Sequence, residues 1–343
     1  MNSTAADLRF VPLEAGDPGT LGAWLRLTVD SAEYVPLSSA PPCEADLAGS
    51  VRFAPPDTAL VDEVAFLDGE AVGALRLVLP DGAPVAVVDQ LLTVPKLRRQ
   101  GIGTALFRRA RHLAGQHGRG LLVADLVQAL PGGPVRDEGP AAFAAAVGAA
   151  PAGGPQGIHQ WLDLDRHDPL ADGIPSVPAG YRLERWGTIT PDGFAIAVSE
   201  LGQSLGESLP ETWDQGPEAV HASHVRRYER MRVGRGRRAY HVGAVHEDSG
   251  ELAGFTSVSK TTGNPEHALQ GMTVVAPAHR GHHLGLLLKL ANLAHVLEYE
   301  PRVRLIETAN ADDNRPMIAL NEAMGFAPQE RWVPWEAPVD PAA

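Results

Sequence analysis

The chain has 343 residues, 44% of them hydrophobic and 21% charged, which fits roughly two ordinary domains with apolar cores and excludes a disordered or fibrous protein. Its formal charge of -13, from 42 acidic against 29 basic residues, disfavours nucleic acid and anionic membrane as main partners. A single cysteine, Cys43, excludes an intrachain disulfide framework; MNSTAADLRF lacks a signal-peptide pattern and no apolar run nears the ~20 residues of a membrane span, so a cytoplasmic protein is expected.

In chain order, Leu8–Leu13 (LRFVPL) is an extended opening. Val64–Leu67 and Ala71–Leu79 make a hairpin about Asp68-Gly69, a pair that tolerates positive φ. Pro84–Val94 is a predicted strand, and Ile102–His117 a helix with Leu106, Ala110 and Leu113 on one face. Gly118-Arg119-Gly120 stops that helix before Leu121–Val127, a short, nearly continuous apolar strand of the buried kind. Asp165–Gly180, rich in Pro, Gly and Asp, breaks both periodicities and is the expected linker between domains 1–164 and 181–343. Beyond it follow Tyr181–Trp186 (YRLERW), a hairpin of Tyr240–Glu247 and Glu251–Ser259, a strand Leu269–Val275, a helix Leu284–Glu298 and a strand Arg302–Thr308. The class is mixed α/β.

The second series repeats the first. The extended openings, the turns Asp68-Gly69-Glu70 and Ser249-Gly250-Glu251, and the strand ends Pro95…Arg98 and Pro277…Arg280 recur in the same order. Ala141–Ala150 is echoed by Ala319–Ala327, with Gly148 matching Gly325. Unrelated domains would share no register, so the chain is a duplication.

The informative segments are VPKLRRQGIGTAL (94–106) and APAHRGHHLGLLL (276–288). Each runs from a strand through arginine and glycine into a helix start, whose unpaired N–H groups and dipole attract anions. Glycine lets a phosphate approach the backbone, so the pattern proposes two phosphate sites, with a tight turn as the plain alternative. Gly101-x-Gly103 lacks the third glycine of a dinucleotide fingerprint, no Gly-Lys-Ser/Thr forms a P-loop, and no Gly-x-Ser-x-Gly elbow is present.

Arg98-Arg99-Gln100-Gly101-Ile102-Gly103, and less fully Arg280-Gly281-His282-His283-Leu284-Gly285, resemble the Arg/Gln-x-x-Gly-x-Gly/Ala signature of the GNAT (Gcn5-related N-acetyltransferase) superfamily. Thr308-Ala309-Asn310, Asn314, Met317, Asn321 and Gly325-Phe326 look like its following strand and helix. Because both halves match, the chain resembles tandem GNAT proteins of the mycothiol-synthase type; a fainter resemblance to the tandem acetyltransferase of clavulanic-acid gene clusters rests on no particular residue. The resemblance implies two acyl-CoA N-acyltransferase domains that take acetyl-CoA or another acyl-CoA as donor. Carried over by position, Leu92, Val94, Arg99, Gln100, Gly101, Ile102, Gly103 and Thr104 would hold the coenzyme in the first half. In the second half it would be held by Val274, Val275, Arg280, Gly281, His282, His283, Leu284, Gly285 and Leu286, with Asn310 and Asn314 nearby. Val274 and Val275 would also supply the oxyanion N–H groups.

The first half keeps the better loop but has no asparagine in Leu121–Gln128 and little but alanine in Ala141–Ala150. It is expected to bind acetyl-CoA structurally, while the second half transfers the acyl group to a small-molecule amine. Candidate bases are Glu307, Glu266 and His267; strict alternation puts Glu307 on the face opposite Thr308 and Asn310. The acid is unassigned, since no tyrosine follows Tyr299. His221 and His224 lack carboxylate or cysteine support, so no metal is expected. His279, Asp89, Cys43 and the arginines of Arg226–Arg238 are weaker candidates. A non-catalytic acyl-CoA-binding or sensing protein, and a protein acetyltransferase, stay open as alternatives.

Overall fold

The computed structural model describes residues 7–32, 40–203 and 222–339. Its elements run β1 (Arg9–Pro12), α1 (Pro18–Ala32), α2 (Glu44–Arg52), β2 (Thr58–Leu67), β3 (Glu70–Pro80), β4 (Val85–Thr93), α3 (Ile102–Gln116), β5 (Leu121–Ala129), α4 (Gly139–Ala146) and β6 (Ala150–Pro151). They continue with β7 (Gly157–Asp163), β8 (Tyr181–Trp186), α5 (Asp192–Gln203), α6 (Ala222–Gly234), β9 (Arg237–His246), β10 (Leu252–Thr261), β11 (His267–Val275), α7 (Leu284–Tyr299), β12 (Leu305–Ala311), α8 (Arg315–Ala323) and β13 (Ala327–Pro338). Most expected elements fall within a few residues of these bounds. The strand expected at Arg302–Thr308 starts later, because Val303 N–H donates to Glu300 O in a turn after Pro301.

Two compact units emerge, Met1–Gln156 with Arg331–Ala343 (unit 1) and Gly157–Glu330 (unit 2). The division therefore falls at Gln156/Gly157 and Glu330/Arg331, outside the Asp165–Gly180 segment. The closing strands are exchanged between the repeats. β7, which ends the first repeat in sequence, pairs antiparallel with β12 of unit 2, while the part of β13 from Arg331 closes unit 1 next to β5. Either strand satisfies an edge that would otherwise be open. A sequence offset cannot distinguish which sheet takes it.

In each unit the two central parallel strands pair only at their starts. β4 meets β5 through Val85–Leu121, Ala86–Leu122 and Val87–Val123; β11 meets β12 through His267–Leu305, Ala268–Ile306 and Leu269–Glu307. Past these pairs the strands diverge. A bulge sits at the divergence in both units, with Asp89 the extra residue on β4 and an extra residue at Gly271–Met272 on β11. Helices cover both faces. In unit 1, Leu75 and Leu77 pack with Leu106 of α3, whereas Ala74 packs with Trp24 and Leu27 of α1. In unit 2, Val242 and Ala244 pack with Leu287 and Leu288 of α7, and Val245 and Phe255 with Leu201 of α5. This alternation assigns one face to the α3 or α7 helix and the other to α1 or α5.

Candidate active site

The two phosphate-site loops share one backbone path. A short turn (Pro95–Leu97, Pro277–His279) leads to two left-handed residues and then the helix. In unit 1 these are Arg99 (φ 63) and Gly101 (φ 88); in unit 2 they are Gly281 (φ 85) and His283 (φ 56). Glycine has changed places between the copies, so each loop holds one non-glycine residue where a Cβ costs roughly 1–2 kcal/mol. Gly101 and His283 are the N-caps of α3 and α7, and neither caps with a side chain, which leaves the helix amides for an anion. His283→Gly is expected to raise stability by up to about 1 kcal/mol, checked by thermal unfolding.

In unit 1 the loop opens into a cavity of about 990 Å³, lined by Arg98, Arg99, Gly101, Gly103 and Thr104, by β4 and β5, by Phe107, and by Ala142 to Ala144 of α4. Its size suits a ligand with an apolar arm and a charged head. Gln100, Gly281, His282, His283 and Arg280 are exposed, while Ile102 and Leu284 are buried first-turn anchors. Gly103 and Gly285 face Phe143 and Leu320, and a Cβ would stand 3.3 and 3.0 Å from them.

Leu92 lines the unit 1 cavity as expected, but the strand N–H groups that face the divergence are offset by one residue from those named in the sequence. Val94 N–H donates to Val72 O, and Ala276 N–H to Ala253 O, so alternation turns Leu92 and Val274 toward the same inner neighbour. The gap is faced instead by Leu91 and Thr93 in unit 1, and by Thr273 and Val275 in unit 2. Of the expected oxyanion pair, Val275 faces the gap and Val274 faces β10; the sequence motif carries no phase that would show it.

On the α1 face of unit 1, the wall beside the gap is filled. Arg76 makes two hydrogen bonds to Asp62 (2.7 and 2.8 Å) and one to Ser50 Oγ (2.8 Å), with its guanidinium 5.0 Å from the Trp24 ring. Trp24 Nε1 donates to Gln90 Oε1 at 2.8 Å, and Gln90 Nε2 to Thr28 Oγ1. In unit 2 the positions of Arg76 and Gln90 are taken by Ser257 and Met272, and among the described residues no such lattice fills the wall. Met272 is 37% exposed, Leu269 is 39% exposed and Ala309 is exposed. Unit 1 does carry Asp125 of β5 in its cavity lining, where partial burial pushes the carboxyl up.

The register chain Phe255, Ser257, Ser259–Leu269–Glu307 places Glu307 on this face of unit 2. Its Oε2 lies 3.2 Å from His159 Nε2, and His159 Nδ1 lies 3.1 Å from Glu330 Oε1. His159 and Glu330 are buried, whereas the Glu307 side chain keeps 14% exposure. Burial works against the His159 imidazolium, but hydrogen bonds and charge from Glu307 and Glu330 outweigh it and raise its pKa. A raised value stabilises the fold fully below the ordinary 6.5, and this contribution disappears as pH rises through the folded value. The stability gap between wild type and His159→Gln is therefore expected to shrink as pH rises above 6.5 in denaturant titrations.

His267 lies on the same face at the closed end of the divergence, its Nδ1 3.1 Å from Asn264 Oδ1. Burial lowers its pKa, against the pull of Glu307 and Glu266. Glu266 is exposed, and its carbonyl accepts from Arg304 and Leu305. Of the three expected carboxylate and imidazole candidates, Glu307 and His267 come together and Glu266 stands outside. His159 and Glu330 are not identifiable in the sequence, because the exchanged strands bring them in.

Asn310 Nδ2 is buried without an acceptor, which suits a ligand carbonyl, while Asn314 caps α8 through Met317 N–H at 3.4 Å. His279 bonds Tyr181 Oη at 2.9 Å and packs on His246, so Tyr181 and His246 engage it. Arg226 is paired with Asp192 and Glu229, and Arg238 with Glu300. His224 packs on Tyr228, and His221 lies outside the described residues. Among the described residues no group of three or more His, Cys, Asp or Glu could hold a metal, and no helix is long and apolar enough to cross a membrane.

The acetyltransferase (GNAT) family model matches residues 24–129 and 199–326. A tandem GNAT protein from the clavulanic acid biosynthesis pathway, solved without AcCoA, is 60% identical over 98% of this chain and 100% of that one, with a TM-score of 0.91. A GCN5-related N-acetyltransferase from Sphaerobacter thermophilus shares the fold at 16% identity, covering 97% and 96%, with a TM-score of 0.65. A GCN5-related glucosamine N-acetyltransferase region of a fungal multi-domain GH3 β-N-acetylglucosaminidase does so at 12%, covering 96% and 38%, with a TM-score of 0.61. No curated protein sequence matches at a significant level. With one family match in each repeat and a tandem relative aligned from end to end, the chain belongs to the GNAT acetyltransferase family as a tandem member.

Proposed function

We propose that the protein transfers an acyl group from an acyl-CoA, acetyl-CoA in the simplest case, to a small-molecule amine. Unit 2 performs the transfer and unit 1 binds acyl-CoA without transferring it. The observation that carries this division is the contrast between the two faces: Glu307 is held by His159 beside the gap, while the Arg76–Asp62–Trp24–Gln90 lattice fills the equivalent wall. Acyl-CoA binding is supported by the loop amides of both units, the unit 1 cavity and the unpaired Asn310 amide.

In this reading Glu307 attracts the ammonium form of the acceptor and takes its proton, directly or through one water. His159 holds one carboxylate oxygen and so orients the group. Val275 N–H is positioned to donate to the carbonyl oxygen as charge develops there. The identity of the tandem relative supports a role in specialised metabolism, with a metabolite amine as acceptor.

Native mass spectrometry with acetyl-CoA, followed by thiol release over a panel of small amines, tests the reading. Two bound equivalents and turnover on at least one amine are expected. Binding without turnover on any amine would replace it with an acyl-CoA-binding or sensing role.

A further inference from the structure

Lys289 is a cation buried without a counter-charge. It lies on α7 at 2% exposure and makes no ion pair among the described residues. Its ammonium donates to Asn321 Oδ1 on α8 and stands 5.0 Å from the Phe326 ring centroid. Asn321 Nδ2 in turn donates to Gln160 Oε1 at 2.9 Å, and Gln160 Nε2 is buried with no acceptor. One acceptor thus serves three ammonium donors, and an amide donor beside it has none. A hydrophobic core alone gives no reason for this arrangement, because burying a lysine costs several kcal/mol that a Met or Leu would not.

The duplication shows where these groups stand. Aligned on the loops, with Gly103 on Gly285, Lys289 takes the place of Phe107. Aligned on Gly148 and Gly325, Asn321 takes the place of Ala144, and the matching neighbours Phe143 and Leu320 of Gly103 and Gly285 fix that register independently. Phe107 and Ala144 both line the unit 1 cavity beside the diverging strands. Lys289 and Asn321 therefore form the corresponding wall in unit 2, on the side of the gap opposite Glu307.

We infer that Lys289, oriented by Asn321, is the acid that protonates the departing thiolate in unit 2. This rests on the proposed acyl transfer. The amine lone pair forms the C–N bond and the carbonyl electrons move to oxygen. When they return, the C–S bond breaks and its electron pair leaves with sulfur, which takes a proton from Lys289 Nζ. The neutral lysine is reprotonated from solvent, and Glu307 passes two acceptor protons to solvent in turn, one from the entering ammonium and one from the cationic nitrogen after the C–N bond has formed. No other reactant is needed. Burial alone pushes Lys289 down to about 7, and no charged side chain contributes to that shift. A thiol ordinarily ionises near roughly 8.5, and beside the Lys289 ammonium the two groups share one proton and titrate as a coupled pair.

The test is an ultraviolet titration of thiolate on CoA bound to the full chain, wild type against Lys289→Met, with stoichiometry from native mass spectrometry. Unit 1 contributes the same background to both. Thiolate is expected to appear at least about one pH unit lower in wild type, because an ammonium within a few ångströms favours it. Identical titrations, or a single bound equivalent in both proteins, would overturn the assignment. With a reactive amine, Lys289→Met is also expected to lower kcat by about 10²-fold and to flatten its fall above pH 7. If no amine reacts with wild type, the proposed transfer fails, while the thiol titration still decides the place of Lys289. A purely structural lysine would move thermal stability and leave both titrations unchanged.

Discussion

Glu307→Gln is expected to lower kcat/KM for the amine by roughly 10²-fold or more, the range of a lost general base. The glutamine keeps the shape and can still meet His159, yet it carries no charge for an ammonium and no basic oxygen. Two acyl-CoA equivalents should still bind, because the helix-start amides are backbone groups that the substitution leaves in place. Glu266→Gln serves as the control and should change kcat/KM less than about threefold, since it is exposed outside the divergence. His159→Asn should fall between them, with a larger effect on kcat than on KM, because it orients Glu307 without facing the gap. Equal losses for Glu266 and Glu307 would remove the special place of the divergence.

Arg76→Ala is expected to destabilise unit 1 by about 3–5 kcal/mol, the cost of leaving one partner of a buried ion pair alone. The Arg76 and Asp62 side chains are 8% and 6% exposed, so the remaining carboxylate would have little water to turn to. The alanine also removes the hydrogen bond to Ser50 and the cation over Trp24. Chemical denaturation should show the loss, and the double variant Arg76→Met with Asp62→Leu should recover most of it. A loss below about 1 kcal/mol would mean that water reaches the pair, and the wall beside the unit 1 gap would no longer count as closed.

The architecture was legible where local chemistry is strong. Asp68-Gly69 takes positive φ at both residues, as its composition requires, and the Gly and Arg loops start α3 and α7 where the strand-to-helix pattern places them. The duplication followed from register alone. What the sequence did not disclose depends on long-range placement. Strand exchange brings His159 to Glu307, although they lie far apart in the chain, and no motif surrounds either. The phase of Val274 and Val275 depends on which neighbour receives the N–H of Ala276. Lys289 lies within the leucine-rich start of α7, and only its alignment with Phe107, which lines the unit 1 cavity, suggests the role inferred for it. The charge of -13 was similarly uninformative about an anionic coenzyme, which helix amides and a few arginines can hold locally.

The division of labour between the units is tested most directly by pairing one loop variant of each with acyl transfer and bound-coenzyme stoichiometry. Gly101→Asp puts a strained, negatively charged residue at φ 88 in unit 1, and His283→Asp puts a carboxylate at the matching N-cap in unit 2. Both variants should lose one acetyl-CoA equivalent in native mass spectra. The account predicts that Gly101→Asp retains amine acetylation and His283→Asp abolishes it; acetylation that survives in His283→Asp and disappears in Gly101→Asp would contradict it.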